Sequence, residues 1–223
     1  MNLERTFYRR LWLPFYRWYA LRHVEQQQEW LSHGLALEVP PGVFHPGIYF
    51  STPIFLDYLG DLDFQDKTVL DIGTGSGVLG IFVAKKGASV YALDINPIAV
   101  ETARRNALLS GVPIHLFQSD LFQALPPVKA DYILVNPPYY PRDPANDTEH
   151  AFFAGEGLTY FQRFFVEVIP FCQAETSILM ILSEDCDWMA IRRFAAQAGF
   201  SNQVVAEKKH WGELLFVGTF GRA

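Results

Sequence analysis

An α/β fold, a mainly parallel sheet wound with helices on both faces, is predicted by three observations. From residue 67 onward, short runs rich in Val, Ile and Leu alternate with longer stretches of helical period, the pattern of buried strands joined by crossover helices. Glycine-rich, aspartate-bearing and proline-rich breaks recur at the ends of those runs, where open α/β sheets bind ligands. The chain has 223 residues, 50% hydrophobic, 15% aromatic and only 19% charged. That is ample for one core and below the roughly 250 to 300 residues at which chains divide.

Residues 1–41 read as a short N-terminal helical arm. Arg5, Arg9, Arg10, Arg17 and Arg22 are interleaved there with Phe7, Tyr8, Trp12, Phe15, Tyr16, Trp18 and Tyr19, and a cluster of Pro40, Pro41, Gly42, Pro46 and Gly47 follows. The arm is too short to bury a core of its own, so residues 42–223 carry the fold. A first strand is expected over 68–72, then glycines and a helix over 77–86, with Lys85 and Lys86 in its last turn and Gly87 able to stop it. A strand over 89–93 leads to Asn96 as N-cap and Pro97 at the first helical position, and that helix runs to Gly111 with Pro113 just beyond. Strands follow over 114–118 and 132–135, the second ending at Asn136-Pro137-Pro138. After a polar loop over 141–150 come a helix over 158–171, a strand over 177–182, a helix over 188–198, and strands over 203–206 and 213–219. The last two lie too close for a parallel crossover, which needs about a dozen residues, so one antiparallel strand is expected within the sheet.

Composition narrows the function. The two cysteines, Cys172 and Cys186, form no CxxC pair, which argues against a disulfide scaffold or cysteine zinc site and fits a reducing cytoplasm. The apolar stretch 11–21 is broken by Pro14 and Arg17, so no membrane span or export signal is expected. A net charge of −6 disfavours broad electrostatic capture of a phosphate backbone. The six histidines show neither HxxxH nor HExxH spacing, and Ser183 lacks the GxSxG elbow of a hydrolase nucleophile, so neither a metal nor a catalytic serine is expected.

The segment Asp71-Ile-Gly73-Thr-Gly75-Ser-Gly77-Val-Leu-Gly80 satisfies two patterns, since Gly75, Gly77 and Gly80 match GxGxxG while Asp71, Gly73, Gly75 and Gly77 read DxGxGxG. Either way the glycines turn a strand into a helix and let a ligand approach the backbone. A dinucleotide would set its pyrophosphate on the helix N-terminus, where a carboxylate at Asp71 repels it. S-adenosylmethionine has no phosphate and carries an ammonium and a sulfonium, so an acidic residue there is acceptable or helpful. Asp94 ends the second strand and can accept both ribose hydroxyls of either cofactor. Asp120 is placed to meet an adenine amino group, to cap a helix beginning near Leu121, or both.

Asn136-Pro137-Pro138-Tyr139 follows the fourth strand at the same sheet edge. The Pro-Pro pair forces extended geometry and removes two backbone donors, so the asparagine side-chain oxygen and the Pro137 carbonyl can face a pocket as acceptors. Two fixed acceptors suit a planar NH2 group. Its nitrogen is a poor nucleophile, and hydrogen bonds from its two N–H groups orient it and stabilise the positive charge that develops during transfer. Tyr139 can stack on that group.

These segments resemble the class I S-adenosylmethionine-dependent methyltransferases of the NPPY branch, the small-domain methyltransferases similar to the release-factor glutamine methyltransferases. VLDIGTGSG (69–77) is similar to the family's cofactor loop, ALDINP (92–97) to its ribose-binding strand end, SDLF (119–122) to its adenine-side segment and VNPPY (135–139) to its catalytic loop. The resemblance implies S-adenosylmethionine contacts from Asp71, Gly73, Thr74, Gly75, Gly77, Asp94, Ile95, Asp120, Leu121 and Asn136. It implies catalysis by Asn136, Pro137 and Tyr139 and substrate contacts from Pro138, Tyr139 and Tyr49. GVFHPGIYFSTPIFLDYL (42–59) resembles the segment that lids the cofactor, and HAFFAGEGLTYFQRFF (150–165) the glycine-bearing approach to a helix in the glutamine enzymes. A Rossmann-like sheet of seven strands, mostly parallel with the last antiparallel, is implied as well.

One departure bears on the substrate: bacterial release-factor enzymes carry a larger N-terminal helical domain, whereas this chain has only the aromatic-arginine arm. Compact members act on proteins, and relatives sharing NPPY act on amino groups of RNA and DNA bases. A protein glutamine is therefore the preferred acceptor, with a nucleic-acid base or a small-molecule amine open beside it. The arm could contact RNA through its arginines, a membrane surface, or its own core. A non-catalytic cofactor-binding scaffold and an NAD-dependent oxidoreductase are the competing readings, and the intact NPPY favours the enzyme over the scaffold.

Overall fold

Successive residues of a strand face opposite sides of a sheet, so strands that are apolar at nearly every position need cover on both. In β3 (Thr68–Ile72), Leu70 and Ile72 enter one core while Val69 enters the other. The computed structural model describes residues 28–47, 50–143, 153–210 and 213–223. Its elements run β1 (Gln28–Ser32), β2 (Leu35–Val39), α1 (Ser51–Gly60), β3, α2 (Val78–Lys85), β4 (Ser89–Asp94), α3 (Pro97–Ser110), β5 (His115–Gln118) and β6 (Ala130–Val135). Then come α4 (Thr159–Glu167), β7 (Cys172–Ser183), α5 (Trp188–Gln197), β8 (Phe200–His210) and β9 (Glu213–Arg222).

The seven-stranded sheet has the order β5-β4-β3-β6-β7-β9-β8. β3, β4, β5, β6 and β7 pair in parallel, and β9 lies antiparallel between β7 and β8. The short spacing between the last two strands foretold that insertion. One face packs α1, α2 and α3, with the wholly buried Phe55, Leu56, Leu59, Ile81 and Ala103. The other packs α4 and α5, where Phe161, Phe164, Phe165 and Ile191 are wholly buried.

Helix boundaries follow local chemistry. Asn96 Oδ1 accepts from Ile98 N at 2.9 Å, Pro97 opens α3 and Gly111 closes it with φ 68, as the sequence predicts. Asp187 caps α5 in the same way, accepting from Ala190 N at 3.0 Å. Lys86, just past α2, donates its ammonium to Leu59 O at 3.1 Å, serving the orphan carbonyls at the end of α1.

Three expectations are corrected. The part of the N-terminal arm that is described is no helix: β1 and β2 form an antiparallel hairpin whose Trp30, Leu35, Leu37 and Val39 are buried in the α1–α3 core. Glu38 clamps it to α3, since its N–H donates to Asn106 Oδ1 at 2.9 Å and its carbonyl accepts from Asn106 Nδ2 at 2.9 Å. The alternation of Leu35, Leu37 and Val39 with Ala36 and Glu38 is a strand period. Residues 1–27, with the five arginines, lie outside the described residues. The helix over 158–171 is shorter, because the segment around Pro170 forms a separate 3-10 turn, Ile169–Phe171, proline lacking the N–H that a continuing helix requires. The helix near Leu121 does not form, and the chain makes a tight turn with Leu121 at φ 48.

Candidate active site

The chain runs from β3 to β4 and β5 on one side, then returns to β6 on the other, which makes the carboxyl ends of β3, β4 and β6 a topological switch point. Three loops meet there. Gly73 N and Thr74 N both donate to Leu93 O at 2.9 Å, tying the glycine loop to the end of β4. Gly77 begins α2 at φ 87, and a Cβ there would lie 3.1 Å from Ala103 Cα, so α2 and α3 meet across bare backbone. Gly75 sits at φ 55, and among the described residues Phe44 Cβ, 4.0 Å away, is the sole atom a Cβ would meet.

Asp71 is wholly buried beneath this loop. Its Oδ2 accepts from Thr74 Oγ1 at 2.7 Å and Gly80 N at 2.9 Å, while Oδ1 has no hydrogen-bond partner among the described residues. Burial pushes the carboxyl up to about 6, the two hydrogen bonds pull it back, and the charge of Asp94 adds to the rise. Asp94 links two loops, with Oδ2 accepting from Gly75 N at 2.8 Å and Oδ1 from Asn96 N at 2.9 Å. Ile95 follows it, its carbonyl accepting from Gln118 Nε2 at 3.4 Å. Asn96 Nδ2 donates to Gly42 O at 3.0 Å, which draws residues 42–47 across the glycine loop.

Asp120 is engaged by Arg163 of α4, whose Nη1 lies 3.2 and 3.0 Å from the two carboxylate oxygens. The guanidinium also reaches Glu167 Oε1 at 2.9 Å through Nε. With no helix at Leu121 there is no cap for Asp120 to supply, and Ser119 Oγ instead closes the turn by accepting from Ala124 N at 2.9 Å.

At the end of β6, Pro137 and Pro138 are buried and Asn136 is half-buried. Asn136 Nδ2 lies 3.3 Å from both Ser51 Oγ and Thr52 Oγ1, at the start of α1, and Asn136 Oδ1 accepts from the Tyr139 hydroxyl at 2.9 Å. That hydroxyl also lies 3.3 Å from Ile181 O. Burial, before any charge effect, holds the Tyr139 phenol well above its ordinary value, so it remains a donor. On the same side, the ring of Phe50 is 3.9 Å from that of His210 at the end of β8.

The structure thus gathers Asp71 and Asp94, in the last residues of β3 and β4, with Gly73, Thr74, Gly75, Gly77, Ile95, Asp120, Leu121, Asn136, Pro137, Pro138 and Tyr139, on the segments that follow the strands, at one sheet edge. Tyr49 lies outside the described residues. The sequence reading missed Ser51, Thr52, Ser119 and Arg163, and left α1 unassigned. The signal for α1 was present in Pro53 within a first turn, followed by Ile54, Phe55, Leu56 and Leu59 at helical spacing. Among the described residues no cluster of metal-ligating side chains occurs, and no helix is long and apolar enough to cross a membrane.

A family model described as the methyltransferase small domain matches residues 34–156. The chain is similar to a protein of Methanocaldococcus jannaschii that carries the provisional name protein N5-glutamine methyltransferase. The two are 43% identical over 109 residues, 48% of this chain and 53% of the relative. The chain spans about half the length of the first curated relatives it matches. Among solved structures, the E. cuniculi Mtq2–Trm112 complex, described as responsible for methylation of the eRF1 termination factor, superposes with a TM-score of 0.65 at 21% identity, over 82% of this chain and 99% of that one. A 16S rRNA N2 methyltransferase of T. thermophilus, solved with AdoMet and guanosine, gives 0.66 at 17% identity, over 89% and 50%. At these identities the two structures bear on the fold alone.

Proposed function

The chain belongs to the methyltransferase small-domain family, and on that premise we propose that it is an S-adenosylmethionine-dependent N-methyltransferase whose acceptor is a planar amide nitrogen, most naturally a protein glutamine side chain. The observation that carries the proposal is the fixed amide of Asn136, held by hydrogen bonds at both ends on the residue after Val135, whose register partner Ile72 leads into the glycine loop.

The residues fit a cationic methyl donor. Among the described residues, Asp71 brings a buried carboxylate with one oxygen lacking a partner, Asp94 brings a second carboxylate within its field, and a Cβ at Gly75 would meet only Phe44 at 4.0 Å. The buried Asp71 carboxylate beneath the start of α2 disfavours a pyrophosphate there, which weighs against the oxidoreductase reading. Asp71, Gly73, Thr74, Gly75 and Gly77 would hold the donor's methionine portion, Asp94 and Ile95 its ribose, and Asp120 and Leu121 its adenine. When bound, the donor supplies a methyl group on positively charged sulfur.

Asn136 Oδ1 and the Pro137 carbonyl accept the two N–H bonds of the incoming NH2 and aim its nitrogen at that methyl. As the nitrogen gains positive charge these dipoles interact with it more strongly, so they stabilise the transition state more than the ground state. No strong base is required before transfer, because the proton becomes acidic only once the methyl has arrived.

Protein glutamine is preferred because the 43%-identical relative carries that provisional name. A nucleic-acid base amino group presents the same pair of N–H donors, and the arginines at 5, 9, 10, 17 and 22 favour it as the second reading, with the arm capturing RNA. The free, buried Cys172 and Cys186 agree with a reducing compartment such as the cytoplasm.

Tritiated methyl transfer into fractionated cell protein, RNA and small molecules tests the proposal. Label in protein that is released as methylamine on acid hydrolysis is expected. Label confined to RNA would move the acceptor to a base, and no label in any fraction would remove the catalytic reading.

A further inference from the structure

We propose that Ser51 and Thr52, at the head of α1, are positioning residues that set which end of the Asn136 amide faces the methyl acceptor. The inference rests on the acceptor-clamp reading of Asn136 above and extends it to residues 84 and 85 positions away in sequence.

An asparagine amide is nearly symmetric in shape, and a half-turn about its last bond exchanges an acceptor for a donor. An NH2 aimed at an incoming NH2 would oppose donor to donor and leave the developing charge unstabilised. Something must therefore select one orientation before the acceptor arrives. In this structure three hydroxyls do so. Ser51 Oγ and Thr52 Oγ1, 2% and 1% exposed, take the Nδ2 side at 3.3 Å each. The Tyr139 hydroxyl takes the Oδ1 side at 2.9 Å. Asn136 thus bridges the head of α1 to the Tyr139 hydroxyl. Turning the amide over would oblige all three hydroxyls to exchange donor and acceptor roles together, so removing the two at the head of α1 leaves only the phenol to hold the orientation. A carbonyl oxygen carries two lone pairs, so the bond from Tyr139 leaves Oδ1 able to accept from the substrate.

The hydroxyls are delivered by a well-anchored helix. Asp57, further along α1, is bound by His33 Nε2 at 3.0 Å from the β1–β2 turn and by Lys208 Nζ at 2.8 Å from β8. Leu56 and Leu59 are wholly buried, so the head of α1 cannot drift from Asn136 without unpacking the core.

The test uses the full chain with Ser51→Ala, Thr52→Val and the double variant, with Thr52→Ser as the conservative control. Single-turnover methyl transfer at saturating donor and acceptor is expected to slow by about ten-fold or more in the double variant, as misplaced reacting groups do, with acceptor KM nearly unchanged and Thr52→Ser close to wild type. Independently of turnover, the two Nδ2 proton resonances of Asn136 should exchange with solvent faster in the double variant. An unchanged transfer rate together with unchanged exchange would overturn the clamp. If the double variant does not fold, the same two readouts on Ser51→Ala alone decide the question, with smaller expected effects. A wild-type protein that transfers no methyl group, yet shows the protected amide, would fail the catalytic reading and leave the orientation itself standing.

Discussion

The Tyr139 hydroxyl donates to Asn136 Oδ1 at 2.9 Å across a turn stiffened by Pro137 and Pro138. The NPPY tetrapeptide is thus closed on itself, and its tyrosine has a task besides stacking on the acceptor. We expect Tyr139→Phe, which keeps the ring and removes only this bond, to lower single-turnover methyl transfer by about three- to ten-fold, the worth of one hydrogen bond. Acceptor affinity should change little, whereas Tyr139→Ala should weaken both. Equal rates for wild type and Tyr139→Phe would return the residue to stacking alone.

Asn136→Ala removes one of the two acceptors and should cost about 10²- to 10³-fold in turnover, by analogy with deletion of a preorganised dipole. Titration calorimetry should find donor affinity within a few-fold of wild type if Asn136 serves chiefly the acceptor. A loss confined to donor affinity would reassign the residue to the cofactor.

Asp94→Ala should reduce donor affinity about ten-fold or more, through loss of charge-assisted ribose bonds. Because Asp94 also accepts from Gly75 N and Asn96 N, a lower melting temperature of the ligand-free protein is expected alongside. Unaltered affinity in a folded variant would contradict the ribose assignment.

Asp71 makes stability depend on pH in an uncommon direction. Its folded-state value of about 6 lies above the ordinary 3.8, so the native state binds an extra proton between those limits. The cost of burying its charge, on the order of 2–3 kcal/mol, is full above about pH 6 and is relieved as pH falls through that window. Asp71→Asn removes the charge, so its melting temperature relative to wild type should be more favourable at pH 7.5 than at pH 4.5. An offset equal at both values would show that the carboxyl does not titrate in this range.

Two glycines of one loop should respond differently to alanine. At Gly77 the new Cβ would meet the Ala103 backbone at 3.1 Å with φ 87, so Gly77→Ala should destabilise the fold by more than the roughly 1–2 kcal/mol of a left-handed residue alone. At Gly75, where among the described residues a Cβ meets only Phe44 at 4.0 Å, the stability cost should stay near that figure and the main loss should be donor affinity. Thermal melts and calorimetry on the same samples separate the two.

Much of this molecule is written locally in its chain. Strands β3, β4 and β6, the cap at Asn96, the glycine turn and the proline turn are each set by chemistry within a few residues. The antiparallel insertion of β9 follows from a loop too short to cross over. Alternation at Leu35, Leu37 and Val39 was present too, but the arginine-aromatic stretch beside it masked a hairpin stabilised by distant contacts with α3. Neither the approach of Ser51 and Thr52 to Asn136 nor the pairing of Arg163 with Asp120 has any local signal, because each joins elements 43 or more residues apart. The sequence by itself determined which chemical groups stand at the edge of the sheet. The tertiary structure decided how they are oriented, since the direction of a hydrogen bond depends on a partner that only packing brings near.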